Sequence, residues 1–580
     1  MSKPSSNHLS SKLGVLKPTA EQITNNLLIL CIKNSIPFNK LDNSLFQDFL
    51  KHYTLNSFIP DSEVLNYYCL ELYDTYQDYF INYFKIHDSF QCSLTFHKWY
   101  SPNEIKPYIY IDAHYVNDLF ILCSIPLGFF QYSDDNLINF MINNSIFKNL
   151  SINFLTTDFI LNDKCLETFK CILEQSNTQN EIDKPSDVID KIMFSLPHFL
   201  VNVLRDFLHQ LAINLNLEYD DISNIHQTNY LPHQVSIMIQ AFLGPIYDKF
   251  LSISLEKITF DCTDEEVSCR IHQTGLKNQK SFAVEYLTGL IIYKNQLQDQ
   301  NIVSNFEWEL IEFLMLITSN FLQIIHHCNN KNPTSHMILK WVKILIFQIS
   351  NISNYELSLR SFQIDDLIQN ILIKLNDYHD LLETKFDLIL ATYLHPTTKR
   401  FLKTHQISRI NQFIESHNHI QTNLENVDDI IAKMFDCSGQ NSIECYNYET
   451  SANNDGHLDN SSLHGSMNFW KLNRIHYPIL GQYANATFSI QASTSKCFLE
   501  FEINFHNWKQ VSCNQQPICD LQAIYFLYNL SNNYDIVNFD AKNLIDDIEN
   551  SRLSNQDHSI QSLTQLTVGT TKRKRKDLDI

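Results

Sequence analysis

Gln91-Cys92-Ser93-Leu94-Thr95-Phe96-His97-Lys98-Trp99 is the stretch on which the fold turns. Like 107–116 and 119–128, it is a short run rich in β-branched and aromatic residues. Turn-forming residues separate the three, so each reads as a strand. A helix is expected over about 135–148 and a fourth strand over 151–157. Strand–strand–strand–helix–strand is a mixed α/β opening. On its N-terminal side, from 21 to about 90, the apolar spacing is helical. Leu27, Leu28, Leu30 and Ile32 come first, then Phe46, Phe49 and Leu50, then Tyr67, Leu70, Leu72 and Tyr76, with Pro37 and Pro60 as punctuation. On its C-terminal side, about 184–435 reads as almost wholly helical, with long periodic stretches at 306–326, 337–349 and 367–393. Residues 440–466 are poor in apolar side chains and rich in Asn, Ser, Asp and Gly, and read as a surface linker. Order is expected again over 469–528, and the tail beyond about 552 is polar. No internal repeat is visible.

The 580 residues correspond to roughly four domains at ~150 residues each. With 44% hydrophobic and 12% aromatic residues, the chain can bury large cores, which excludes general disorder. Ten glycines exclude Gly-rich linkers and collagen-like repeats. Neither G-x-G-x-x-G nor G-x-x-x-x-G-K-[ST] occurs, so no nucleotide cofactor is expected. A net charge of −21 argues against a chain-wide nucleic-acid footprint and leaves room only for local DNA contact. The 14 cysteines include no C-x-x-C. The nearest pairs, Cys165/Cys171, Cys262/Cys269, Cys437/Cys445 and Cys513/Cys519, lack zinc-finger spacing and are expected to be reduced thiols. His326-His327-Cys328 with Cys269 and His272 lacks zinc-ligand spacing too. No apolar segment follows Met1 and no uninterrupted run approaches ~18 residues, so no membrane partner is expected. The Asn-X-Ser/Thr sequons then follow from Asn richness in an intracellular chain.

Several ordered segments between about 21 and 530 resemble the hAT superfamily of transposases and the host proteins derived from them. Ile36-Pro37-Phe38, Phe46-Gln47-Asp48-Phe49 and Ile59-Pro60-Asp61-Ser62 are similar to the family's helical lead-in. Ser93–Trp99 is similar to its first catalytic strand, usually S-L-T-F-D-x-W. Thr156-Thr157-Asp158-Phe159 with Asn162-Asp163 sits where the family has T-x-D-N-A-x-N-N, and Ser195-Leu196-Pro197-His198 resembles its C-x-x-H element. Ala391-Thr392-Tyr393-Leu394-His395-Pro396 resembles A-x-x-L-D-P-x-x-K, with Lys399 in register and His395 in the Asp position. The most specific likeness is Phe469-Trp470-Lys471, Tyr477-Pro478-Ile479-Leu480 and Ile490-Gln491-Ala492-Ser493-Thr494, which is similar to the C-terminal dimerisation region.

The resemblance implies an RNase H-like core interrupted by a large helical insertion, hence an α/β fold with a large all-α insertion. The divisions expected are a flexible 1–20, a helical 21–90 like the family's DNA-binding or dimerisation region, and a first part of the core at 91–183. The helical insertion follows at 184–438, a polar linker at 439–467, the second part of the core with the dimerisation region at 468–530, and a polar tail at 531–580. It also implies DNA cleavage and strand transfer by a D-D-E triad that holds Mg²⁺ or Mn²⁺. Here His97 stands in the first Asp position. Asp158 keeps the second, and Phe498 occupies the Glu position with Glu500 two residues on. On a helix that offset turns the side chain about 200° away. Ser195 replaces the cysteine of C-x-x-H while His198 remains. A neutral imidazole supplies no negative charge to a hard cation. The expectation is therefore a catalytically inactive, transposase-derived nuclear protein with no cofactor. Its partners would be a second copy, as a homodimer or higher homo-oligomer, and DNA only weakly. Alternatives are an active divergent transposase using His97, Asp158 and Glu500 with Mg²⁺ or Mn²⁺, and a protein–protein scaffold without DNA.

Plainer roles stand beside these. Asp158 at a strand end suits an N-cap for the next helix. His97 and His198 suit satisfied core positions. Trp470, Tyr477, Pro478, Leu480, Ile490, Ala492 and Ser493 read in isolation as core, and through the resemblance as a dimerisation region. Lys572-Arg573-Lys574-Arg575-Lys576 reads as a nuclear-import signal or as a solvated tail. The family's N-terminal BED zinc finger has no counterpart in these residues, because no C-x-x-C…H-x₃₋₅-H occurs.

Overall fold

The computed structural model describes residues 19–34, 36–53, 58–86, 91–100, 106–117, 120–177, 188–217, 231–251, 284, 287, 291, 294, 303–328, 333–352, 363–395, 398–417, 467, 470–471, 478–494 and 523–528. They divide between two compact units. The first comprises Met1–Ile86, Ile125–Phe130 and Leu499–Ile580, and the second His87–Ser124 and Gln131–Phe498.

The first unit opens with helices α1 (Ala20–Lys33), α2 (Ser44–Tyr53) and α3 (Ser62–Ile86). A reciprocal box starts α1: Gln22 N–H donates to Thr19 Oγ1 at 3.1 Å, and Thr19 N–H donates to Gln22 Oε1 at 3.0 Å. The Asp42 carboxylate accepts both the N–H and the Oγ–H of Ser62 and so fixes where α3 begins. Leu65, Cys69, Leu72, Tyr76, Phe80 and Phe84 recur every three or four residues and form the buried stripe of α3. Phe526 meets this helix edge-on at Tyr73, with centroids 5.1 Å apart. Leu30, Phe49 and Tyr67, apolar residues of the same helices, are exposed. Apolar identity alone does not tell the two sides of a short helix apart.

The sheet has strands β1 (Gln91–Trp99), β2 (Tyr108–Val116), β3 (Leu122–Gln131), β4 (Ser151–Thr157) and β5 (Ile192–Phe194), in the order β3-β2-β1-β4-β5. β2 runs antiparallel to β1, whereas β4 is parallel to β1 and β5 to β4. The architecture is thus α/β with one mixed sheet and a predominance of helix. Two expectations change. The helix expected over 135–148 is two, α4 (Asp134–Asn143) and α5 (Ser145–Lys148), because Asn144 leaves the helical conformation and its Oδ1 accepts the Phe147 N–H at 2.8 Å. β5 also lies inside the stretch expected to be helical from 184. Three residues are too few to display a period.

Helices α6 (Asp163–Asn177), α7 (Leu196–Leu215), α8 (Leu231–Leu243), α9 (Pro245–Leu251), α10 (Asn305–Cys328), α11 (Ser335–Ile352), α12 (Ile364–Thr384), α13 (Phe386–Tyr393), α14 (Thr404–His417) and α15 (Pro478–Phe488) follow. From α7 onward they share one apolar core, in which Leu204, Trp308, Leu314, Trp341, Leu345 and Tyr393 are almost fully enclosed. α10 is long and apolar enough to cross a membrane, and 67% of its most apolar window is buried in this core. Its polar side, with Glu312, Ser319, Asn320 and His326, stays partly or fully exposed, as in an amphipathic helix that lays a wide apolar face on a core.

Segment 486–494, almost 400 residues after β1, is fastened to the sheet by side chains of the strands. Ser93 Oγ donates to Ser489 O at 2.6 Å, Asn153 Nδ2 to Ala486 O at 2.9 Å, and Thr156 Oγ1 to Gln491 O at 2.8 Å. From the helical side, Thr334 Oγ1 accepts the Ala492 N–H at 2.8 Å, and Leu196 N–H donates to Ala492 O at 3.0 Å.

Candidate functional site

Phe96 of β1 forms the last pair with Thr157 of β4, so the next residues, His97, still paired to β2, and Asp158, just past the end of β4, emerge side by side where that parallel pairing stops. β5 joins the same end. Ser195 N–H donates to Thr157 O at 2.8 Å, and α7 begins at Leu196, placing His198 in its first turn. Three elements thus bring three polar side chains together. His97 Nδ1 lies 2.6 Å from Asp158 Oδ2, and His198 Nε2 lies 3.3 Å from the same oxygen. The side chains of His97 and Asp158 are 3% and 4% exposed, against 16% for His198, so the cluster opens only on the His198 side.

Each group is held from behind. The Lys98 N–H donates to both carboxylate oxygens of Asp158, at 3.0 and 3.3 Å. His97 stacks on Tyr110, its cross-strand neighbour in β2, with centroids 5.8 Å apart and planes 19° apart. Ser195 Oγ lies 2.9 Å from His198 Nδ1. Thr494 Oγ1, from the docked C-terminal segment, lies 3.3 Å from His97 Nδ1.

Burial would raise the pKa of Asp158, but the charges of His97 and His198, the His97 hydrogen bond and the Lys98 N–H outweigh it and hold the carboxyl below its ordinary value. Burial pushes His198 down to about 4, with His97 acting in the same direction and Asp158 against it. At neutral pH the carboxylate is therefore an ionised acceptor and His198 a neutral ring. Its Nε2–H faces Asp158 while Nδ1 accepts from Ser195.

The chain matches no protein-family model, and no curated protein matches it.

Of the expected site residues, His97, Asp158 and His198 meet in one cluster. Phe498 and Glu500 lie outside the described residues, as do Tyr477 and Lys572 to Lys576. Asp158 does not cap α6: Asn162 does, its Oδ1 accepting the Cys165 N–H at 2.8 Å. His395 is elsewhere, buried at the end of α13 and stacked on His336 at 4.2 Å. Trp470 is enclosed, its Nε1–H donating to Leu394 O at 3.4 Å, and Leu480, Ile490, Ala492 and Ser493 are buried within this chain. Pro478 is the first residue of α15, where its missing N–H costs no helix bond.

Sequence reasoning did not single out Lys98 or Tyr110. The Lys98 ammonium sits 3.8 Å from the centre of the Tyr132 ring and 4.6 Å from that of Phe159, a cation between two aromatic faces beside Asp158. A second cluster, His379, Asp380 and Glu383, is also close enough to hold an ion. There, however, Lys403 Nζ lies 2.5 Å and Lys343 Nζ 3.8 Å from Glu383 oxygens, so cations of the chain already neutralise the carboxylate.

Proposed function

We propose that this chain is a catalytically silent relative of hAT-type transposases, with an RNase H-like core, acting in the nucleus as a homodimer and associating with DNA only weakly. The strand order β3-β2-β1-β4-β5, with β2 antiparallel and β4 and β5 parallel, supports the RNase H-like reading. So does the order of parts: strands, a helical block, then a C-terminal segment returning to the strand ends.

One observation carries the loss of catalysis. Where the family resemblance implies a second carboxylate beside Asp158, His97 Nδ1 stands 2.6 Å away. Mg²⁺ requires oxygen ligands in near-octahedral geometry, and a two-metal centre requires carboxylate charge to offset the repulsion of its ions. Two imidazoles and one carboxylate do not fit that demand. Losing several kcal/mol of charge stabilisation removes orders of magnitude in rate, at tenfold per ~1.4 kcal/mol. Incubation of supercoiled plasmid with the full chain in Mg²⁺ or Mn²⁺ is expected to yield no nicked, linear or hairpin products. Metal-dependent products abolished by Asp158→Ala would establish an active transposase instead.

A further inference from the structure

The donor set that does not fit Mg²⁺ fits another class of ion. We propose that His97, Asp158 and His198 form a binding site for one borderline first-row divalent metal ion, Zn²⁺ being the reference case. This goes beyond the transposase reading and does not rest on it, since it stands on side-chain geometry alone.

Two imidazoles and one carboxylate are a recurrent three-ligand set for zinc and its neighbours. One ring nitrogen of each histidine and one oxygen of Asp158 all lie within 4.8 Å of one another, with His97 Nδ1 and His198 Nε2 both facing Asp158 Oδ2. A tetrahedral ion with bonds of about 2.1 Å needs its ligand atoms about 3.4 Å apart. The His198–Asp158 separation of 3.3 Å already meets this, and the 2.6 Å His97–Asp158 contact has only to widen by a fraction of an ångström.

The surroundings resemble those of a ligand set rather than a chance contact. Zinc-binding histidines are oriented through their second nitrogen, and His198 has Ser195 Oγ there at 2.9 Å. When the metal takes the lone pairs of His198 Nε2 and His97 Nδ1, each ring proton moves to the other nitrogen of its own ring, to Nδ1 in His198, where it donates to Ser195, and to Nε2 in His97. The neutral ring gives up no net charge. Asp158 is fixed by the Lys98 N–H on both oxygens, and the His97 ring by Tyr110. Three protein ligands leave one coordination position over, on the His198 side where the cluster is open.

The test uses the full chain, stripped with a chelator and titrated with Co²⁺, whose d–d absorption reports low-coordinate nitrogen and oxygen ligation. Wild type is expected to take up one Co²⁺ with this band and without thiolate charge transfer, to release it to Zn²⁺, and to keep it in excess Mg²⁺. His198→Gln, on the open side of the cluster, and His97→Ala should each weaken binding by at least about 100-fold. Ser195→Ala, one shell further out, should weaken it about 10–100-fold. Circular dichroism of the metal-free variants separates loss of the site from loss of the fold, and His198→Gln carries the test if His97→Ala does not fold. The proposal is overturned if wild type shows no such band, if folded His198→Gln binds like wild type, or if Mg²⁺ displaces the ion. None of these outcomes bears on plasmid cleavage, so the two readings fail independently.

Discussion

His336 is fully buried at the start of α11, and neither ring nitrogen makes a hydrogen bond among the described residues. Burial, with His395 and Lys340 nearby, pushes its pKa well below the ordinary value, so the folded protein keeps this ring neutral. In the unfolded chain a histidine takes up a proton near pH 6.5. Below that pH the unfolded state binds the extra proton, and stability falls by up to about 1.4 kcal/mol per pH unit for this one group. His336→Phe, which preserves stacking on His395, is expected to flatten the dependence of the denaturation midpoint between pH 6.5 and 5 and to leave stability at pH 8 equal or higher. An unchanged slope would show that the ring protonates in the folded state. Such residues escape sequence reading, because a histidine in an apolar helix looks the same whether its ring is bonded, stacked or liganded. His97 and His198 were legible only through the family resemblance, as the position of its first Asp and as the His of its C-x-x-H element. Lys98 carries no such signal, since its contribution to Asp158 is a backbone N–H.

Among the elements, β1 and β4 were read at their observed bounds, because nine and seven residues rich in β-branched and aromatic side chains leave little alternative. β3 lies three residues later than expected, and β5 went unseen for want of length. The docking of 486–494 onto the strands was not legible at all. Ser93, Asn153 and Thr156 are ordinary strand residues until partners more than 300 positions away are known. Thr156→Val keeps the shape of the side chain and leaves the buried Gln491 carbonyl without this donor, which costs about 1–3 kcal/mol. A drop in the urea midpoint of that size, without loss of secondary structure, is expected. A midpoint equal to wild type would mean that the segment is not held through this bond.

For the molecule as a whole, the proposed reading takes the charge of −21 to be compatible with a transposase-like body that associates with DNA only weakly. Among the described residues Trp470, Leu480, Ile490 and Ala492 are buried within the chain itself, so their side chains serve the core, and the proposed dimer would form through neighbouring surface. Sedimentation at micromolar concentration is expected to give a dimer, and a monomer would remove that part of the proposal. A tagged chain lacking 572–576 is expected to stay outside the nucleus, and unchanged nuclear signal would exclude the basic run as the import signal. On the proposed reading, an imidazole has taken the place of a metal-binding carboxylate beside Asp158. Calorimetric titration of the chelator-treated chain with Mg²⁺ decides whether that exchange removed the site. Wild type should show no binding attributable to Asp158, whereas His97→Asp, which restores a pair of facing carboxylates, should gain a Mg²⁺ site and thermal stability with it. Binding of Mg²⁺ by wild type that Asp158→Ala abolishes would contradict the account.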